Sequence, residues 1–496
     1  MKKENSLSLA YCLLLSFVFL AIFSYTTSPF YFETSSGDSA VFQIVGKFWS
    51  KGYLPYVDFW DQKGPIIHFV NCLGYLLTDS ATGVFIIQWI CLTITLLLMY
   101  KLLRNGFNCM ASCLLLLLPV ISFSANTWGG NCVEEYALPL MTLSYLFIYK
   151  WLNDVEMNNS TTHPWQFALV YGLTFSFCLL TRLTNALGIS AAVAVIAIFL
   201  MVKKEWKCFG INVLSFLVGV ALLLVPFMLY FWSKGALYDM WYGTILYNLD
   251  YAAASGNDAT TINGVLQLFV HFLDTWGLLL VAVLALIFNH KRRLAGLIWT
   301  LVAIFSLAWF VRGNAFSHYG VVSLPLIAIT LLEAKNIIGS FSENTIRRTS
   351  KRLAIAGLSV YFIITLASCW HTFRVSKSSY IPNHELAETR AFMKDVPQSF
   401  RDSFVSYNGE IDYYLYDNIR PACRFFALQD YQANQSPSYQ KFLTEDFQKN
   451  KAQWILVHGK AKFIEPLLIK DYHIYKQDKG KGLTLYRKNQ YSNIEI

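Results

Sequence analysis

The feature that most constrains this chain of 496 residues is a succession of apolar runs, many of 18 or more residues. Each is long enough to cross a hydrocarbon core of about 30 Å as a helix. They fall at approximately 7–27, 83–103, 109–125, 136–152, 165–181, 183–202, 208–231, 265–289, 294–311, 319–337 and 353–372. Lipid offers no hydrogen bonds, so a spanning segment must satisfy its own backbone, and a run of this length does so as a helix. The predicted fold class is therefore an α-helical polytopic membrane protein with about eleven transmembrane helices. Charge is scarce enough to agree: 14% of the residues are charged, against about a quarter in soluble domains.

The formal net charge of +9 invites a nucleic-acid partner, but its placement argues otherwise. Lys2/Lys3, Lys101/Arg104, Lys150, Lys203/Lys204/Lys207, Lys291/Arg292/Arg293 and Arg347/Arg348/Lys351/Arg352 sit in short gaps between apolar runs. With about eleven spans they all land on one side, as the positive-inside rule requires, which predicts a cytoplasmic N-terminus and an extracytoplasmic C-terminus. The first run follows two lysines without a convincing A-x-A cleavage site and reads as a retained signal anchor. Most of the ten cysteines fall within apolar runs, and none forms a CxxC or Cys/His metal spacing.

Two parts of the chain are not connectors. Loop 28–82 carries Val41, Phe42, Ile44, Val45, Phe48 and Trp49 at helical spacing, which predicts an amphipathic helix on the membrane interface. Gly64-Pro65 then opens a second short helix. The transmembrane part runs to residue 373, and 374–496 has the composition of a small soluble α/β domain. Helices are predicted over 383–393 and 439–449, strands over 403–407 and 454–458, and a hairpin pairs 472–475 with 483–487.

Chemistry concentrates on the side opposite the lysines. Asp38, Asp58, Asp61, Lys63, Glu134, Glu135, Arg182, Arg312, His318 and Tyr319 lie beside the membrane, in loops far apart in sequence. Ionisable groups at membrane depth are costly, so their presence points to function. A carboxylate there can serve as a general base and an arginine can hold a phosphate through paired hydrogen bonds. Structural roles compete at each position. Asp38 suits a helix N-cap, and Asp58 and Asp61 can order a proline-aromatic loop. Glu134 and Glu135 suit the start of a helix, Arg182 can snorkel, and His318 can be a hydrogen-bonded interface residue.

The runs Gly37-Asp38-Ser39-Ala40-Val41-Phe42 and Tyr53-Leu54-Pro55-Tyr56-Val57-Asp58-Phe59-Trp60-Asp61-Gln62-Lys63-Gly64-Pro65 resemble the first loop of GT-C glycosyltransferases. The likeness is to the branch of glycosyltransferase family 39, the protein O-mannosyltransferases and the aminoarabinose transferases. Asn131-Cys132-Val133-Glu134-Glu135-Tyr136-Ala137-Leu138-Pro139, Leu180-Thr181-Arg182-Leu183-Thr184-Asn185 and Arg312-Gly313-Asn314-Ala315-Phe316-Ser317-His318-Tyr319 resemble that family's later external turns.

The resemblance implies the GT-C fold and inverting transfer of a sugar from a polyprenyl-phosphate donor. The acceptor is a lipid, glycan or protein outside a bacterial cytoplasmic membrane. It also implies that Asp38 is the base that deprotonates the acceptor hydroxyl. Many relatives have Asp-Glu where this chain has Asp38-Ser39, so one carboxylate stands where two can share a divalent cation. Two other readings compete: a transporter of lipid-linked glycans, and a non-catalytic membrane subunit. A transporter is expected to spread charge through its spans and to repeat in halves, and neither pattern is present in this sequence.

Overall fold

The computed structural model describes residues 2–34, 36–254, 272–308, 316–340, 383–449 and 452–489, together with scattered positions between 349 and 370. Helices occupy each of the first ten expected spans. Ser6–Phe23, Ala81–Leu103, Cys109–Asn126, Leu183–Val202, Trp206–Ser233 and Ser317–Gly339 are long and apolar enough to cross a membrane. Trp165–Leu179, Leu273–Phe288 and Arg293–Ala308 are shorter apolar helices, and Val133–Asn158 is a long helix with acidic residues in its first turn. The chain is thus a polytopic integral membrane protein. Trp206–Ser233 turns Leu214, Leu217, Leu222 and Leu229 outward, as a helix bathed in lipid should. The expected span 353–372 and the expected domain boundary at 373/374 lie largely outside the described residues.

The chain divides into two compact units. The first comprises the described residues of Met1–Ser28, Phe85–Tyr230 and Gly256–Ser376. Its core runs from Cys12, Phe19 and Leu20 through Met141, Tyr145 and Trp151 to Trp299, Val302 and Leu326. Small residues let the helices approach closely, as is usual between membrane helices. Gly172 lies on the backbone of Phe216, and Gly188 on Ser306. Charge in this unit gathers at the helix ends. Arg292, between two helices, donates to both carboxylate oxygens of Glu333 at 2.8 and 2.6 Å and stands 3.4 Å from Glu156. At the opposite ends of these helices, Glu134 and Arg182 meet at 3.0 Å.

The second unit comprises the described residues of Pro29–Val84, Phe231–Ser255 and Lys377–Ile496. Its sheet has β1 (Phe404–Tyr407), β2 (Trp454–His458), β3 (Tyr472–Asp478) and β4 (Leu483–Lys488) in the order β1-β2-β4-β3. β1 and β2 are parallel and the other pairs antiparallel. The helices His384–Met393 and Pro437–Lys449 and all four strands match the expected elements to within a few residues. The first loop is built into the same core. Trp60 donates its backbone N–H to Arg424 O at 2.9 Å, and its ring meets Tyr439 edge-on at 4.6 Å. Arg390 binds Glu33 and Asp417 together.

The helix expected at the start of the first loop forms over Asp38–Trp49, and Pro65–Thr78 follows behind Gly64 as its N-cap. The amphipathic reading of the first helix is corrected, because Ser39 to Phe48 are buried on every side. A Cβ on Gly46 would strike Asn71, so the Pro65–Thr78 helix covers one face. On another, Lys47 Nζ donates to Leu415 O at 3.0 Å. Its apolar spacing reflects a helix closed within protein, and burial pushes the Lys47 amine down to about 8.

The Arg292 cluster yields a prediction. Glu333 is fully buried, and removing one partner of a buried ion pair strands the other charge at a cost of about 3–5 kcal/mol. Arg292→Ala should lower the melting temperature of the detergent-solubilised protein strongly. Glu333→Gln added to it should recover part of the loss.

Candidate functional site

In the first unit the polar turns converge on Arg182. The helix Trp165–Leu179 ends, Arg182 follows in extended backbone, and a 3-10 turn over Leu183–Ala186 leads into the next helix. The short corner leaves the guanidinium little freedom. Its Nη1 donates to Glu134 Oε1 at 3.0 Å, and its central carbon lies 3.2 Å from the centroid of the Tyr319 ring. An arginine stacked on an aromatic face and tied at one edge is oriented without being neutralised on all sides. Among the described residues Glu134 Oε2 is buried without a hydrogen-bond partner.

The two adjacent glutamates divide their roles. Glu135 Oε1 accepts the backbone N–H of Cys132 at 3.0 Å, closing a capping box at the start of Val133–Asn158. Its Oε2 accepts Nε2 of Gln88 at 2.8 Å. Glu135 is thus held as a helix cap, the structural role weighed for the pair, and Glu134 turns to Arg182. His318 is buried edge-on to Tyr319, ring centroids 4.4 Å apart, and stacks on Trp128. Arg312 lies outside the described residues.

In the second unit Asp38 is half-buried at the first position of its helix, whose N-cap is Gly37. Asp38 is therefore not the cap. It sits where the helix dipole favours negative charge. Asp58 is exposed and its Oδ2 accepts the backbone N–H of Leu54 at 2.6 Å, so it closes a turn. Asp61 is buried with its Oδ2 3.3 Å from His68 Nε2. Burial raises the Asp61 carboxyl, but His68 and Lys63 outweigh it and hold the group below its usual range. Lys63 is half-buried.

Some polar residues escaped sequence reading. His68 lies in an apolar stretch and has no partner motif nearby in sequence. Asp274, within an expected span, accepts Ser122 Oγ at 2.7 Å and is buried. A third set lies in the C-terminal segment. Asp412 Oδ2 accepts the backbone N–H of Ser36 and Nδ2 of Asn383, both at 3.1 Å, and Asn383 also donates to Glu410 at 2.7 Å. Burial and the neighbouring Glu410 push the Asp412 carboxyl well above its ordinary value. Ser36 precedes Asp38 by two residues, so this pair fixes the entry to the helix that carries Asp38. Among the described residues no three His, Cys, Asp or Glu side chains gather where they could hold a metal ion.

Residues 2–367 match the family described as "Putative competence-induced protein Ccs4 N-terminal domain". The chain belongs to the Ccs4 family. Comparison with curated protein sequences finds no match to this Ccs4-family chain. Among solved structures it is similar to ArnT from Cupriavidus metallidurans bound to undecaprenyl phosphate, at 13% identity, TM-score 0.52 and 98% coverage of both chains. It is also similar to the archaeal oligosaccharyltransferase AglB from Archaeoglobus fulgidus, in complex with an inhibitory peptide and a dolichol-phosphate. There the identity is 14%, the TM-score 0.50, and coverage 99% of this chain and 75% of that one. The Ccs4-family chain therefore has the GT-C fold.

The Asp412 carboxyl gives a pH prediction. A group whose native pKa is raised stabilises fully below its unfolded value, and that contribution is lost as pH rises through the native one. Asp412→Asn keeps an acceptor for Ser36 and Asn383 and removes the titration. Its melting temperature should exceed that of the wild type near about pH 7.5 and approach it near about pH 4.

Proposed function

We propose that this chain is an integral membrane glycosyltransferase that moves a sugar from a polyprenyl-phosphate carrier to a hydroxyl on an extracytoplasmic lipid, glycan or protein. The observation that carries the reading is the Arg182 assembly, a guanidinium oriented by Glu134 and Tyr319 at the end of a membrane helix bundle. The GT-C fold supports it, as do the lipid phosphates bound by both similar structures. In this reading the N-terminus is cytoplasmic, the segment after residue 373 lies outside a bacterial cytoplasmic membrane, and that segment is a domain.

The chemistry assigns roles residue by residue. Asp38 takes the proton of the acceptor hydroxyl as its oxygen attacks the anomeric carbon. The bond from that carbon to the phosphate oxygen breaks on the opposite face, which inverts the configuration, and polyprenyl phosphate leaves with the electron pair. Arg182 bears the charge developing on that phosphate, with Arg312 as a second cation. Glu134 and Tyr319 position Arg182, and Glu135 fixes the helix start that carries Glu134. Asp58, Asp61 and Lys63 order the loop that follows the Asp38 helix, and His318 sits beside the sugar.

Transfer of radiolabelled sugar from polyprenyl-phosphate donors into membranes tests the assignment. Asp38→Asn should lower transfer by roughly a hundredfold or more, the range for a positioned base. Arg182→Ala should lower it by about a hundredfold, with Arg182→Lys intermediate, because lysine keeps the charge and loses the planar fork. Wild-type rates in Asp38→Asn at matched expression would remove Asp38 from the reaction.

A further inference from the structure

Trp128 stands in an unusual setting. It begins Trp128-Gly129-Gly130-Asn131, in which all four residues have positive φ, 49°, 90°, 88° and 60° in turn. For a bulky L-residue such a backbone is strained and persists only where the surroundings enforce it. The glycines beside it are packed tightly. A Cβ on Gly129 would strike the Tyr25 ring, and one on Gly130 would strike Ser24 Oγ. Thr26 Oγ1 donates to the carbonyls of both glycines, at 3.0 and 3.2 Å. The turn is clamped, and what the clamp holds out is an indole.

That indole is 54% exposed. One face lies nearly parallel to the imidazole of His318, centroids 4.8 Å apart and planes 16° from each other. The Phe316 ring lies 5.9 Å from the indole at 33°, and the remaining surface of the indole is open among the described residues. His318 in turn meets Tyr319, on which the Arg182 guanidinium rests. A flat apolar surface thus adjoins a fixed cation through two rings. A tryptophan that only anchors the chain in the headgroup layer needs neither a strained backbone nor an aromatic backing. A pyranose linked to a phosphate does need both surfaces: its C–H face suits an indole face and its phosphate suits a guanidinium.

We propose that the exposed surface of the Trp128 indole is the stacking platform for the sugar ring of a lipid-linked sugar phosphate, with His318 as its backing. This rests on the function proposed above and adds the part of the donor that Trp128 reads. A Trp128 that stacks on the sugar affects only ligands that carry one, whereas an Arg182 that holds phosphate affects all of them.

The test is binding, in detergent, of undecaprenyl phosphate and of undecaprenyl phosphate carrying glucose or mannose. Wild type should bind at least one glycosylated lipid about three- to tenfold more tightly than the bare phosphate, the range of an aromatic stack. Trp128→Ala should lose that preference and keep its affinity for undecaprenyl phosphate. Trp128→Phe, which keeps a ring, should retain part of it and show that the fold is intact. Arg182→Ala should weaken all the lipids alike. Equal weakening of bare and glycosylated lipids by Trp128→Ala would make Trp128 a lipid contact and overturn the proposal, as would a preference untouched by the substitution. Wild type that binds none of these lipids would overturn the function proposed above and this inference with it. Binding of bare phosphate without any sugar preference would overturn this inference alone.

Discussion

The Arg182 guanidinium lying flat on Tyr319, with one edge held by Glu134, is the contact on which the first unit's functional end depends. Three turns far apart in sequence supply these groups, so the contact fixes three helix ends at once. A charge at the end of an apolar bundle has few partners, and each pairing is therefore specific. The same rule acts at the other helix ends, where Arg292 gathers Glu156 and Glu333. Among the described residues Arg292 is paired on both sides by carboxylates, and Arg182 by one carboxylate and an aromatic face. A guanidinium saturated with carboxylates is a structural clamp, and one half-supplied retains donors for an anion.

The second unit solves a different problem, that of holding an acidic loop in a fixed shape. Glu33 is tied to Arg390, Ser36 to Asp412, Lys47 to the carbonyl of Leu415, and Trp60 to the carbonyl of Arg424. The C-terminal segment thus orders the first loop from its beginning to its proline-aromatic turn. This gives the α/β segment a role that needs no acceptor or partner of its own. The burial of Lys47 and Gln43 in the Asp38–Trp49 helix follows from it, because protein covers the face that would otherwise meet lipid headgroups.

The first ten helical spans, the strands of the C-terminal segment and the two first-loop helices were legible, because each rests on local periodicity or on a Gly-Pro start. What sequence could not supply was pairing. Glu134 and Glu135 are indistinguishable in the sequence, and only the capping box of Cys132 and the reach of Gln88 separate the cap from the partner of Arg182. His68 reads as part of an apolar stretch until Asp61 is seen beside it. Asp274 is hidden in an apolar span, and the Asp412–Glu410 pair has no motif. Trp128 gains meaning only from the His318 ring behind it.

The carboxyl groups of the second unit can be sorted by what neutralises them, and the sorting bears on which of them can act as a base. Asp61 faces His68 and Lys63 and is held as a carboxylate, but it is buried against its partner. Asp412 faces Glu410, and a buried pair of like charges is relieved only by keeping a proton, which leaves it nothing to accept. Asp58 is exposed and occupied by the backbone of Leu54. Asp38 is half-buried at a helix N-terminus, where the dipole favours its charge. A general base must be ionised, reachable and held in place, and the C-terminal segment supplies the third condition through Ser36.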